Sequence, residues 1–402
     1  MDRVEQWWAG RKEDFPTDAG ALDLQHYFDF TYGILYTYSD SHDLLGEVTL
    51  EKRGTDWYHW SRLERTGGRD EQFKKRATSS FVAEAIDIGM LDEPVWNWET
   101  IAVRITRQQR QRLEWAIKTR GRAHVLLRYR RPGPDGIREG VLGTLVDYEN
   151  GEFTVTAVET AEDNDAVLTH RAGRDYAVTS TKSALIVGVG AVGSFVADQL
   201  ARSGIGQLTL LDYDRLRPGN STRHLCGPDH IHEFKTDAVK KILVERTKLA
   251  SDLVRTATAS LRPELAFDLV PKHDIVINAT ADYGVEWMLD NIAMDLDVPA
   301  VHVGIHRHGG LIRIDRTSRH LDPSLVLDAI PALEDGAAEI REVGCIDPIS
   351  PAPPHAVHAA ASYATATVLD TISGRWEMPD SVVHVMGSQP DEPYRKLGSI
   401  YL

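Results

Sequence analysis

Between residues 184 and 235 the chain sets out glycines, carboxylates, an amide and cations in an order suited to an anionic ligand. The apolar run Ala184-Leu-Ile-Val187 leads into Gly188-Val-Gly190-Ala-Val-Gly193. A run of that length reads as a buried parallel strand. Three glycines after it permit a tight turn, close approach of backbone to phosphate, and close packing of helix on sheet. The helix they open offers its first N–H groups to an anion. From Ser194 to Ala201, Phe195, Val196, Ala197, Leu200 and Ala201 fall at helical spacing, and Gly204 stands where a left-handed cap is wanted. A second strand, Gln207-Leu-Thr-Leu-Leu-Asp212, ends in an acid placed to hold a ribose hydroxyl.

Glycine turn and acid by themselves suit NAD as well as ATP. The residues after Asp212 favour the triphosphate. Tyr213-Asp214 and Asn220-Ser-Thr-Arg223-His224 put an amide and a guanidinium just past the second strand, and Lys235 opens an amphipathic stretch, Asp237 to Arg246. Charge on β and γ phosphates has to be balanced by such donors when pyrophosphate leaves, whereas a nicotinamide site has no use for them. The alternative for Arg223 and Lys235 is a solvated surface. Further along, Asp274-Ile-Val-Ile-Asn-Ala-Thr-Ala-Asp282 reads as a buried strand ending in a carboxylate. Strand carboxyl ends face the ligand crevice of an open parallel sheet, so Asp282 is expected beside Gly190 and Asp212, as a hard anchor for Mg²⁺ and as the N-cap of a helix from Tyr283 to Ile292.

Over roughly residues 182 to 375 the chain resembles the ThiF/MoeB/HesA family and the adenylation domains of ubiquitin-activating enzymes. The resemblance is carried by Val187-Gly-Val-Gly-Ala-Val-Gly193, Ala201-Arg-Ser-Gly-Ile-Gly206, Leu211-Asp-Tyr-Asp214, Asn220-Ser-Thr-Arg223-His224, Lys235 and Asn278-Ala-Thr-Ala-Asp282. It implies ATP and Mg²⁺ as cofactors. Gly188, Gly190, Gly193, Asp212, Asp214, Asn220, Arg223 and Lys235 would bind the nucleotide, with Asp212 on the ribose and Asn220, Arg223 and Lys235 on the phosphates, while Asp282 would organise the metal. The implied reaction is attack of a protein's C-terminal carboxylate on the α-phosphorus of ATP, giving an acyl-adenylate and pyrophosphate. In many relatives a cysteine then takes the acyl group.

The chain has two cysteines. Cys226, inside the nucleotide region, reads as a small buried thiol. Cys345 lies in a stretch carrying Pro323, Pro331, Pro348, Pro351, Pro353 and Pro354, which cannot be continuous helix or sheet and is expected to be a mobile crossover loop over about 318–355. Two readings of Cys345 stand: the thioester nucleophile of the resemblance, or an unreactive loop cysteine with no adjacent base to depress its pKa. Many ThiF and MoeB proteins hold zinc on two Cys-x-x-Cys pairs, a site that two cysteines exclude, so no zinc is expected. His302, His306 and His308 alternate on what reads as a strand, whose one face rarely closes a tetrahedron around a metal.

The expected fold is α/β: a Rossmann-like doubly wound adenylation domain over 181–402, preceded by a smaller α+β domain over 1–180. Seven of the nine tryptophans fall in that first part, enough apolar mass for its own core. Strand signals run from Ala123 to Tyr129, Gly140 to Asp147 and Glu152 to Val158, with a hairpin signal at Asn150-Gly151. The segment has no cysteine, so it is not an active thiol-dependent conjugating domain; a degenerate module and an unrelated docking module both fit. Arg104 to Arg131 holds ten Arg or Lys against one acid, Glu114. It is either a solvated helix face or a docking surface for an acidic partner, such as a ubiquitin-like protein or a conjugating enzyme.

At 402 residues, 42% hydrophobic and 26% charged, the chain has ordinary soluble composition, and its net charge of −15 argues against general nucleic-acid binding. No run approaches the ~20 apolar residues of a membrane span, and the N-terminus lacks a signal-peptide core, so a cytoplasmic location is expected. The favoured activity is ATP-dependent activation of a ubiquitin-like protein in a bacterial conjugation pathway, with a conjugating-type acceptor and a homodimeric enzyme as the family expectation. The alternatives are a sulfur-carrier adenylyltransferase of the thiamine or molybdopterin type, a peptide- or tRNA-modifying adenylyltransferase, a non-catalytic nucleotide-binding scaffold, and an NAD-dependent oxidoreductase.

Overall fold

An alternating strand buries one residue set on each side, and the first part of the chain uses that alternation to build two cores. The computed structural model describes residues 24–39, 45–52, 55, 57–62, 80–91, 93, 95–133, 136–164, 167, 169, 171–247, 249–317 and 352–401. It divides into Met1–Leu168 and Thr169–Leu402. In the first unit, strands β1 (Phe30–Tyr38), β2 (Gly46–Lys52), β3 (Trp57–Arg62), β4 (Ser80–Met90), β5 (Arg122–Gly133), β6 (Gly136–Glu149) and β7 (Glu152–Glu162) form a closed barrel in the order β1-β3-β2-β4-β5-β6-β7. Asn150 and Gly151 join β6 to β7 with φ of 51° and 91°, the two positive angles a tight hairpin turn asks for. Val125 and Leu127 of β5 pack with Trp98 and Ile101 of α1 (Trp98–Ala102) and with Leu113 and Ile117 of α2 (Arg107–Arg120). Leu126, between them in sequence, joins the other core with Tyr36, Leu50 and Val158.

The second unit opens with a short helix, α3 (Tyr176–Thr179), and continues through β8 (Ser183–Val187), α4 (Ala191–Arg202), β9 (Gln207–Leu211), α5 (Lys235–Arg246), β10 (Val254–Ala257), α6 (Pro263–Leu269), β11 (Ile275–Asn278), α7 (Tyr283–Leu296), β12 (Ala300–His306), β13 (Leu311–Thr317), α8 (Pro354–Ile372), β14 (Ser381–Val385) and β15 (Gly398–Tyr401). The eight strands form one sheet, β10-β9-β8-β11-β12-β13-β14-β15. The first five neighbours in that order pair in parallel and the last three strands add antiparallel.

Both faces are covered. Ala184 and Ile186 pack with Val196 and Leu200 of α4, Val239 and Leu243 of α5, and Ala360 and Val368 of α8. Leu185 and Val187 face the other way, toward Ala266 of α6 and Leu289, Ile292 and Ala293 of α7. The chain runs outward from β8 to β9 and β10, then returns to the other side of β8 as β11. This reversal opens a crevice at the carboxyl ends of β8 and β11, the place where doubly wound sheets bind ligands. None of the described helices is long and apolar enough to cross a membrane.

Candidate nucleotide-binding site

The glycine turn lies in that crevice, and each of its three glycines answers a different constraint. Gly188 has φ of 86°, and a Cβ there would stand 2.9 Å from Thr280 and 3.0 Å from Ala279. Gly193 lies in the first turn of α4, where a Cβ would come within 1.9 Å of the Gly188 carbonyl oxygen. These two positions serve internal packing. Gly190 differs, since a Cβ built on it meets nothing within 4 Å. It is the N-terminal cap residue of α4 and no side chain caps that helix end. Backbone donors therefore border open space, which fits the close approach of a phosphate.

Asp212 comes directly after the last residue of β9, and its carboxylate turns back onto the glycine turn. One oxygen accepts the Val189 N–H at 2.7 Å and the other the Asp214 N–H at 2.8 Å. Burial raises its carboxyl above the usual range, offset in part by Lys235 and the two backbone N–H groups. Each oxygen keeps lone-pair capacity for a ribose hydroxyl.

A short 3-10 turn, Pro218–Thr222, winds the Asn220 segment tightly, with the Arg223 and His224 N–H groups both bonded to the Asn220 carbonyl. Asn220 Oδ1 accepts the Arg217 N–H at 2.9 Å. Arg223 remains half-buried, donating from Nη1 to the Ala352 carbonyl at 3.2 Å. Lys235 is the first residue of α5, and its Nζ pairs with Asp214 Oδ2 at 2.8 Å. His224 goes the other way, into the core, with Nε2 at 2.9 Å from the Val189 carbonyl and Nδ1 accepting the Cys226 N–H at 3.1 Å. The motif in the sequence includes His224 without giving it a task. No local spacing signals its inward turn, because its partner Val189 stands 35 positions earlier. Cys226 is buried and unpaired by disulfide, and burial pushes its thiol up to about 12. Cys345, and the expected crossover loop up to residue 351, lie outside the described residues.

Two expectations need correction. The strand expected over 274–282 stops at Asn278, because Asn278 Oδ1 takes the Thr280 N–H (3.1 Å) and hydroxyl (2.7 Å) and so starts a turn. Ala281 continues it at φ of 55°. Asp282 is thus beyond the strand end, as the exposed N-cap of α7, accepting the N–H groups of Gly284 (2.7 Å) and Val285 (3.2 Å). The loop stays beside the glycine turn through Thr280 and Gly188. The three histidines do not share one strand: β12 ends at His306, and His308 lies beyond it in a 3-10 turn at φ of 59°. His302 is buried against Asp290 at 2.9 Å. Among the described residues no group of three or more His, Cys, Asp or Glu could hold a metal ion. A lone carboxylate such as Asp282 still suits Mg²⁺, which commonly binds through one carboxylate plus substrate phosphates.

In the first unit, the basic run is less cationic than its sequence suggests. Neighbouring strands supply acids: Arg112 pairs with Glu84, Arg122 with Asp147 at 2.6 Å and Arg128 with Glu139 at 3.2 Å, while Arg110 pairs with Glu114 at 2.7 Å. Trp115 nonetheless stands 69% exposed on α2.

A doubly wound sheet with a glycine turn at its reversal point, an acid after the next strand and cations beyond defines a nucleotide-binding domain of the Rossmann-like class. Residues 169–324, all within the second unit, match the ThiF family. The chain is similar to the ATP-dependent ubiquitin transferase-like protein Cap2 of Enterobacter hormaechei subsp. hoffmannii (27% identity over 222 residues; 50% of this chain, 36% of that protein). It is similar to ubiquitin-like modifier-activating enzyme 5 of Culex quinquefasciatus (41% over 70 residues; 17% and 18%). It is also similar to the molybdopterin-synthase adenylyltransferase of Haemophilus influenzae (28% over 170 residues; 40% and 70%). The chain thus spans only about a third of the length of the Cap2 relative.

Proposed function

We propose that the second unit binds Mg-ATP at the glycine turn and activates the C-terminal carboxylate of a ubiquitin-like protein by adenylation. The observation that carries this reading is the open space over Gly190, next to Val189, whose N–H is held by the half-buried carboxylate of Asp212. In the proposed reaction a carboxylate oxygen of the carrier attacks the α-phosphorus, the bond to pyrophosphate breaks, and an acyl-adenylate forms. The chain's residues contribute position and charge. N–H groups of the turn and of the first turn of α4 meet phosphate, Asp212 takes the ribose, and Asn220, Arg223 and Lys235 neutralise the departing pyrophosphate. Lys235 has to exchange Asp214 for phosphate to do so. Asp282 would hold Mg²⁺, which would offset charge on the phosphate oxygens.

A bacterial conjugation pathway is supported by the similarity to Cap2. In that reading the first unit is a degenerate or partner-docking module, Cys345 accepts the acyl group as a thioester before a conjugating-type acceptor takes it, and the enzyme is a homodimer in the cytoplasm. A sulfur-carrier adenylyltransferase has its own support, since the molybdopterin-synthase adenylyltransferase relative is matched over 70% of its length. The test is a thermal-shift comparison with Mg-ATP and NAD, each near a hundredfold the expected Kd, where binding adds ~2.7 kcal/mol of stability. The second step is ATP-dependent pyrophosphate exchange with small proteins ending in Gly-Gly. A shift with ATP, lost in Arg223→Ala, is the expected result. A shift with NAD alone overturns the reading.

A further inference from the structure

The nucleotide reading leaves one buried polar side chain of the region without a role. His224 is flanked by the phosphate-side residues in sequence, yet its ring is turned away from them, toward the glycine turn. Its partners decide its tautomer. Nδ1 accepts the backbone N–H of Cys226, so the proton of the neutral ring is on Nε2, where it is donated to the Val189 carbonyl at 2.9 Å. Asp212 meanwhile takes the N–H of the same residue at 2.7 Å. Val189 is therefore held at both its backbone polar groups by two side chains from different loops.

The consequence lies in the next peptide. The Val189–Gly190 bond is trans, so its carbonyl oxygen and the Gly190 N–H point in opposite directions. Anchoring the oxygen inward on a buried imidazole turns the Gly190 N–H away from that ring, and a Cβ built at Gly190 meets nothing within 4 Å, so there is room beside this residue for a ligand. Rotation of that peptide would instead aim a carbonyl at an arriving phosphate.

We propose that His224 is a positioning residue of the nucleotide site: by holding the Val189 carbonyl it fixes the direction in which the Gly190 N–H is presented to phosphate. This role rests on the proposed binding of ATP at the glycine turn. It concerns phosphate recognition, so it separates ATP from adenosine.

The test is equilibrium binding of Mg-ATP and of adenosine to the full chain in four variants. His224→Gln keeps one donor and one acceptor and is expected to hold ATP within about threefold of the parent. His224→Leu and His224→Met lack the donor, and should weaken ATP by about tenfold or more while moving adenosine less than about threefold. Val368→Ala, in the same core on α8, supplies a loss of packing without a change at the turn. Met, matched to Gln in length, decides the matter if Leu does not fold. Equal ATP affinity in Gln and Met variants, or an ATP loss in Val368→Ala equal to theirs, overturns the proposal. A parent chain that binds no ATP overturns the underlying nucleotide reading, and the proposal with it; that result is seen before any variant is compared.

Discussion

The turn side and the phosphate side of the candidate site are built on opposite principles. On the turn side, Gly188 and Gly193 are locked by backbone contacts, and Val189 is tied by Asp212 and His224 from the interior. On the phosphate side, the cations are held by partners a ligand can replace: Lys235 by the carboxylate of Asp214 and Arg223 by the Ala352 carbonyl. One half is preorganised, and on the proposed reading the other would exchange partners on binding. Substitutions should divide accordingly: those at the turn disturb fold and binding together, and those at the cations disturb binding alone.

Gly193→Ala should have the largest effect. The new methyl would lie within 1.9 Å of the Gly188 carbonyl oxygen, a backbone atom that cannot swing aside. A loss of at least about 3 kcal/mol in denaturant unfolding is expected, along with loss of ATP binding. Gly190→Ala sharpens the contrast. With open space around its Cβ it should cost well under that in stability, near ~0.5 kcal/mol, yet still weaken ATP. Equal destabilisation by both would mean that Gly190 is packed as tightly as Gly193, and the turn would then offer no cradle to a phosphate.

The turn side also carries a pH signature of about the same size. Burial holds the His224 imidazole down to about 4, against an ordinary 6.5, although its bond to the Val189 carbonyl pulls the other way; Lys235 and His230 add to the depression. The unfolded chain then binds a proton that the folded chain refuses. The folded state keeps its full stability above pH 6.5 and loses it as pH falls from 6.5 toward about 4, by up to about 3 kcal/mol. Other histidines, among them the half-buried His124 and His306, are depressed in the same way, so the measurement is the difference in pH slope between the parent and His224→Gln. Identical slopes would place the His224 ring in water and undo the two-handed hold on Val189.

The phosphate side should answer differently. Arg223→Ala and Lys235→Ala are expected to lose about 2 kcal/mol or more of ATP binding, read by calorimetry, while unfolding shifts by less than about 1 kcal/mol. Truncating Lys235 leaves Asp214 without its partner, a small cost at a half-exposed position. Large destabilisation in either variant would mean that the cations belong to the framework, and the division between the two halves would fail.

How far this was legible in sequence depends on whether a residue's task is local. The β8–turn–α4 unit could be read because strand length, glycine spacing and helical periodicity all act within a few residues; Gly204, at φ of 81°, is the left-handed cap its position asked for. The Asn150-Gly151 hairpin was legible for the same reason. The strand ending in Asp282 was over-read, since Asn278 intervenes with a side-chain bond to Thr280 that competes with the ladder, a contest periodicity does not register. The inward turn of His224 was invisible because its partner, Val189, stands 35 positions earlier. Likewise, the basic run lost much of its charge to Glu84 and Asp147, contributed by neighbouring strands. Closure of the first unit into a barrel depends on such long-range pairing, including the parallel contact of β1 with β7.

Asp282 combines a task of each half. Its Oδ1 caps α7 through Gly284 and Val285, a framework task, and its charge is what would hold Mg²⁺. Asparagine caps a helix about as well as aspartate but lacks the charge, so the two substitutions part the roles. Asp282→Ala should cost about 1 kcal/mol in unfolding, whereas Asp282→Asn should leave stability within a few tenths of a kcal/mol of the parent. Both should raise the Mg²⁺ concentration needed for half-maximal ATP binding. If Asn matches the parent in that Mg²⁺ titration while Ala does not, Asp282 is a cap and nothing more. The cation would then have to be held elsewhere along the phosphate side, with the carboxylate of Asp214, released as Lys235 moves to phosphate, as the next group to substitute.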